Sequence, residues 1–213
     1  MRVVAVGRAD GNEEDLRQQA KNTAPRKLAR FLDAVSYAPF VATSRVFDRL
    51  AEVDPADVAL YSVSSWDGDM PEQPFVSDGS WAGDGKLSQH ILGDANPVTW
   101  LRMLANNPLC QVSIARGFRG PNAHFVGGWT ALEQALVAAE DDLLTGAAQA
   151  AIVVAYETRP GDWFQPSGSA LTSALAVAFR AGGDDLDRLE EQESSKITAL
   201  DVLERRFASQ DAI

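Results

Sequence analysis

Cysteine occurs once in this chain of 213 residues and histidine twice, and each scarcity excludes something. A single thiol cannot close an internal disulfide, so a reducing cytoplasm is the natural compartment. Basic residues are short as well: 19 Lys and Arg stand against 30 Asp and Glu, for a net charge of −11. That balance argues against nucleic acid and anionic membrane as general partners. There is no apolar run long enough to span a bilayer, and no secretory signal is visible. Gly7 and Gly11 follow an apolar strand-like run, but without G-x-G-x-x-G spacing they do not make a nucleotide-binding turn. His90 has no second histidine near it and reads as a surface side chain. No cofactor and no metal site is expected.

What is present is the patterning of an ordinary soluble α/β protein, 46% hydrophobic and 23% charged. Arg2 to Gly7 reads as a first strand, and Asp10 to Pro25 as a polar segment crossing the surface. Apolar residues from Leu28 to Leu50 recur at helical spacing, and Pro39 is expected to break or kink that region into two pieces. Val58 to Val63 reads as a strand entered from a Pro55 turn. From Gly68 to Gly93 the chain is rich in Gly, Asp, Ser and Pro and should be irregular. Asn96-Pro97 is a helix start, with Asn as cap and Pro at the first helical position. Thr99, Trp100, Met103 and Leu104 then lie across one broad helical face, where ordinary core packing accounts for all four.

The stretch from Arg116 to Glu157 is the most legible. Gly120-Pro121-Asn122 is turn chemistry, and His124 to Val126 is a brief extended run. Gly127-Gly128 lets the backbone bend before a helix opens near Trp129. Leu132, Leu136, Ala139 and Leu143 give that helix one apolar face, and Gly146 stops it. Ala150 to Ala155 is a small, β-branched run typical of a strand buried on both faces. Ala170 to Phe179 reads as another strand. After Gly182-Gly183 the composition turns acidic, and Ile197, Leu200, Leu203 and Phe207 form an apolar stripe on a terminal helix. That stripe either closes the core or docks onto a partner, and the polarity of the segment before it favours the partner. The organisation expected is a main domain over 1–183 followed by an acidic segment and amphipathic helix over 184–213.

The block NNPLCQVSIARGFRGPN, followed by a strand, a helix start and a buried strand, resembles the amino-terminal half of a β-ketoacyl synthase. The resemblance covers roughly the first 180 residues and implies a thiolase-like half-fold, a mixed sheet with helices packed on its faces. In that family the nucleophilic cysteine stands at the helix start, and alignment on Arg119-Gly120-Pro121-Asn122 puts Trp129 there. An indole offers one N–H donor and no nucleophile. The family's two catalytic histidines belong to a second repeat without counterpart here, and neither His90 nor His124 matches their motifs.

Subunits lacking the cysteine are similar to chain length factors of type II polyketide systems, and shortened versions occur with ketosynthases that make polyene-type chains. The resemblance therefore implies a non-catalytic subunit. Its partners would be an active ketosynthase, in a heterodimer, and an acyl carrier protein bearing the growing chain. It further implies that Thr99, Trp100, Met103 and Leu104 line an acyl tunnel or interface. The strand His124, Phe125, Val126, Gly127 and Gly128 would face the mate across a two-fold axis. Two alternatives remain open at this point. One is a decarboxylase or acyltransferase on the same fold using Cys110 or His124. The other is a scaffold protein with no acyl contact. Cys110 itself, beside an apolar run, reads as a small buried hydrophobe.

Overall fold

Val58 to Ser64 is buried at every position, which places it inside the sheet rather than at a rim. The computed structural model describes residues 1–29, 31–32, 34–50, 52–65, 104–157, 172–183 and 198–207. The elements in chain order are β1 (Arg2–Gly11), α1 (Glu13–Thr23), α2 (Ala34–Phe47), β2 (Val58–Ser64) and α3 (Asn107–Arg116). They continue with β3 (Asn122–Val126), α4 (Trp129–Thr145), β4 (Ala150–Glu157), β5 (Thr172–Arg180) and α5 (Ala199–Phe207). The sheet has five strands in the order β1-β5-β4-β2-β3. β2 runs parallel to both β3 and β4, whereas β5 is antiparallel to β4 and to β1. The mixed sheet with helices on both faces is the one the sequence implied.

Alternation along the strands builds two cores. On one face Ala5, Ala9, Ala174, Ala176 and Ala178 form a floor of small side chains beneath α1, α2 and α3. Gly7 belongs to that floor: a Cβ there would stand 2.8 Å from the Ala42 carbonyl oxygen and 2.8 Å from Val46 Cγ2. The helix therefore lies on the strand at backbone contact, and Gly7 is the interior of a longer β1 rather than its end. On the other face Leu175, Val177 and Phe179 meet Leu132, Leu136 and Leu143 of α4 and Leu200, Leu203 and Phe207 of α5.

Three expectations are corrected here. The segment Asp10–Pro25 contains a helix, α1, which buries only Leu16 and Ala20. Its start is fixed by Asn12, whose side-chain oxygen accepts from the Asp15 N–H at 2.9 Å. Second, α2 runs continuously through Pro39. Nearly every residue from Val35 to Val46 is buried, and that packing outweighs one lost intrahelical hydrogen bond. Third, the stripe of α5 closes this chain's own core: Leu203 and Phe207 are buried, and the Phe207 ring meets Phe179 edge-on at 5.8 Å. Ile197 lies outside the described residues.

Candidate functional site

The carboxyl ends of β2, β3 and β4 point the same way because the three strands are parallel, and polar side chains gather there. Their placement begins at the turn before β3. Gly117 adopts the left-handed conformation (φ 75°) that ends α3, and its N–H bonds the Ser113 carbonyl. Gly120 is then laid against the start of β2, where a Cβ would lie 2.5 Å from the Val58 carbonyl oxygen. The Leu60 N–H donates to the Pro121 carbonyl at 2.9 Å and sets the register that brings Ser62 opposite His124.

His124 Nδ1 lies 2.8 Å from Ser62 Oγ. Its ring stacks on Tyr156 with centroids 6.1 Å apart and planes 29° apart. The Tyr156 hydroxyl in turn donates to the Ala105 carbonyl at 3.3 Å. Burial pulls the pKa of His124 down to about 4, so the imidazole is neutral near pH 7. Its Nε2 is buried and has no hydrogen-bond partner among the described residues, and the same is true of the Ser64 hydroxyl. Next along, Ser65 donates to Glu157 Oε2. Burial raises the Glu157 carboxyl above its ordinary range, with Asp201 adding to the rise and the hydrogen bonds from Ser65 and Thr198 opposing it.

β3 ends as the sequence suggests. Gly127 takes φ +144° and its N–H donates to the Ser64 carbonyl at 2.9 Å. Gly128 occupies the cap position, and Trp129, half-buried, is the first residue of α4. The end of a buried parallel array, a glycine bend and a helix N-terminus thus converge on an indole. Cys110, once open to a catalytic role, is poorly placed for it, and so is the hydroxyl of Ser62. Cys110 lies in α3, half-buried rather than fully buried, with its thiol held protonated by desolvation. Ser62 is 1% exposed in mid-strand.

Of the residues expected to line a tunnel, Thr99, Trp100 and Met103 lie outside the described residues, as does His90. Leu104 is described and is 53% exposed in a bend, so it does not lie on the helical face expected of it. Of the strand expected over His124 to Gly128, His124 to Val126 belong to β3, which forms one edge of the sheet, whereas Gly127 and Gly128 follow it as a bend. Among the described residues no hydrogen bond meets its outer side. Reading the sequence missed Ser62, Tyr156 and Glu157, although serines at alternate positions of the apolar run VALYSVS place polar groups on one strand face. Among the described residues no group of three His, Cys, Asp or Glu side chains is disposed to hold a metal ion. No described helix is long and apolar enough to cross a membrane.

The arrangement defines a class. A five-stranded mixed sheet of this order, with a helix opening directly after the edge strand, is the thiolase-like fold of the β-ketoacyl synthases. Solved structures of that fold superpose on this chain. One is a β-ketoacyl synthase from Burkholderia phymatum STM815, with a TM-score of 0.54, 12% identity, and 84% of this chain and 59% of that one covered. Another is the AntDE:AntF complex, a type II acyl carrier protein with its ketosynthase bound to the hexaketide. It gives a TM-score of 0.53 at 15% identity, covering 84% of this chain and 63% of that one. The third is the ketosynthase ApeO in complex with its chain length factor ApeC from Xenorhabdus doucetiae. There the TM-score is 0.50 at 12% identity, over 85% of this chain and 79% of that one. The chain thus spans roughly three-fifths of the first two structures it matches. No protein-family profile matches it, and no curated protein is significantly similar to it.

Proposed function

We propose that this chain is a non-catalytic chain length factor that pairs with an active ketosynthase and shapes its acyl tunnel in type II polyketide synthesis of the polyene type. The observation that carries the reading is Trp129 at the first position of α4, directly after β3, where the fold would present a nucleophile. A thioester-forming condensing enzyme needs a thiolate and charge-stabilising donors, and an indole supplies neither a nucleophile nor a base. In the proposed pair, the mate contributes cysteine and histidines and an acyl carrier protein delivers the chain. This subunit contributes Thr99, Trp100, Met103 and Leu104 to the tunnel or interface.

Two further features favour a paired subunit. An edge strand with unbonded outer backbone groups invites a second strand, and a mate removes that liability. The ApeO–ApeC complex adds support, because this chain covers 79% of the structure matched there, against 59% and 63% for the other two.

The test is expression with and without a ketosynthase from the same genomic neighbourhood. Co-expressed, the two should co-purify in equal amounts; alone, this chain should self-associate or be insoluble. A stable monomer that ignores the ketosynthase would defeat the proposal. A thioester probe applied to the complex should acylate the ketosynthase alone, and labelling of Cys110 or His124 would favour a stand-alone acyltransferase.

A further inference from the structure

The two edges of the sheet differ in kind. β3 carries only neutral side chains and, among the described residues, its outer side is unbonded. β1 is the opposite edge. It pairs with β5 through Ala5, Gly7 and Ala9 and their neighbours, and its ladder is interrupted between Val3 and Ala5. At its middle, two carbonyls one pleat apart are taken by arginines, one reaching down from α2 and the other from the turn that follows it. Arg49 Nη1 donates to the Val6 carbonyl at 3.0 Å, and Arg45 Nη1 donates to the Arg8 carbonyl. Arg45 is itself steered by α1, since its Nη2 donates to Gln19 Oε1 at 2.8 Å. From the other face, the Arg8 side chain crosses to Glu204 of α5 at 3.1 Å.

A strand added to this edge would need those same carbonyls as acceptors for its own N–H groups. In an antiparallel strand, alternate residues turn both backbone groups outward, so Val6 and Arg8 offer the acceptors an incoming ladder must use. Both are already bonded to guanidinium groups, which are charged donors and stronger than a neutral amide. The incoming strand would also have to bury the arginine charges beside it. Bulges and edge charges are known devices against sheet-to-sheet association, and here they coincide with occupied acceptors.

We infer that Arg45 and Arg49 close the β1 edge to strand addition, so that the sheet is extended at β3 alone. The pair is an edge lock built by a helix that already packs on the strand and by the turn that ends it, and it acts whichever protein occupies β3.

The experiment compares the full chain with the Arg45→Met/Arg49→Met variant by sedimentation velocity over a range of concentrations, both purified with the co-expressed ketosynthase where the chain alone is insoluble. Methionine keeps much of each stem and removes the guanidinium. The variant should show concentration-dependent mass at least double the wild-type distribution. Adding Arg8→Pro, which removes an outward N–H without breaking the β1–β5 ladder, should return it to the wild-type distribution. A folded double variant with the wild-type distribution overturns the inference, as does association that Arg8→Pro leaves unchanged. Should circular dichroism show the double variant unfolded, Arg49→Met alone is measured in the same way, and no rise in mass overturns the inference. The readout is a difference from wild type, so failure of ketosynthase pairing at β3 does not alter it.

Discussion

Ser62 Oγ and His124 Nδ1 stand 2.8 Å apart across the β2–β3 pairing, joining an interior strand to an edge strand through a neutral imidazole. The unfolded imidazole takes its proton near 6.5 and the folded one near 4. Between those values the unfolded state binds more protons, so stability falls as pH is lowered through that window and levels off below it. The loss from pH 7 to pH 5 should be about 2 kcal/mol, at roughly 1.4 kcal/mol per pKa unit. Glu157, with its folded pKa raised, slopes the other way just above its ordinary range. Urea titrations of wild type and His124→Gln at both pH values isolate the histidine, and the variant should lose the acid-side decline. Equal declines in both proteins would place the effect elsewhere.

Gly120→Ala should destabilise the fold by about 1–3 kcal/mol, the usual range for overpacking. The added Cβ would face backbone, 2.5 Å from the Val58 carbonyl oxygen and 2.7 Å from its carbon, and backbone does not rotate aside. Denaturant midpoints measure the loss, and hydrogen exchange should show it concentrated in the amides of β3.

Phe207→Ala removes a ring that is 1% exposed against Phe179. The expected loss approaches about 3–5 kcal/mol, as for a buried phenylalanine, with a ceiling set by detachment of the helix. Leu203→Asp, which puts a charge at a fully buried position, should release α5 outright. Protease cleavage near Thr198 would report that release. Loss of partner binding with an intact, protease-resistant helix would mean the stripe serves an interface after all.

Trp129→Cys should not make the isolated chain condense acyl groups. The chain has only His90 and His124, and a thiol alone lacks the donors that stabilise developing charge. Because Trp129 is half-buried, the stability loss should fall below the about 3–5 kcal/mol of a fully buried ring. Condensation by the variant, measured with malonyl carrier protein, would show the chemistry to be misplaced.

Thr99→Phe is expected to shorten the products of a reconstituted ketosynthase pair while sparing the first condensations. Overpacking of about 1–3 kcal/mol is worth up to roughly a hundredfold in which intermediates are accepted. Mass spectrometry of product lengths is the readout, and an unchanged distribution in an assembled complex would clear Thr99 of that role.

The parts of the fold legible in the sequence were those with local causes. Gly127-Gly128 and Gly146 marked both ends of α4 because each position demands a backbone that glycine supplies, and the structure places positive φ at Gly127 and Gly146. β2 and β4 were readable because strands buried on both faces carry continuous apolar runs. α1 was not, since a helix that buries two of its eleven residues leaves almost no periodic signal. The contact between Ser62 and His124 was beyond reach for a different reason: it spans 62 positions and exists only through the β2–β3 register. The packing that keeps α2 unbroken through Pro39 is likewise tertiary, and local preference pointed the other way.

β1 has consequences for how the chain is made as well as for how it associates. Its ladder partner is β5, with Arg2 opposite Arg180. Made well before its mate, β1 must therefore wait while more than 160 residues follow it. During that interval the backbone groups that will pair with β5 have no native mate, a setting in which nascent chains aggregate or recruit chaperones. Long-range pairing of this kind also slows folding, because loop closure precedes any reward from the contact. Moving the termini by circular permutation, so that β1 follows β5, should speed refolding without changing the final sheet.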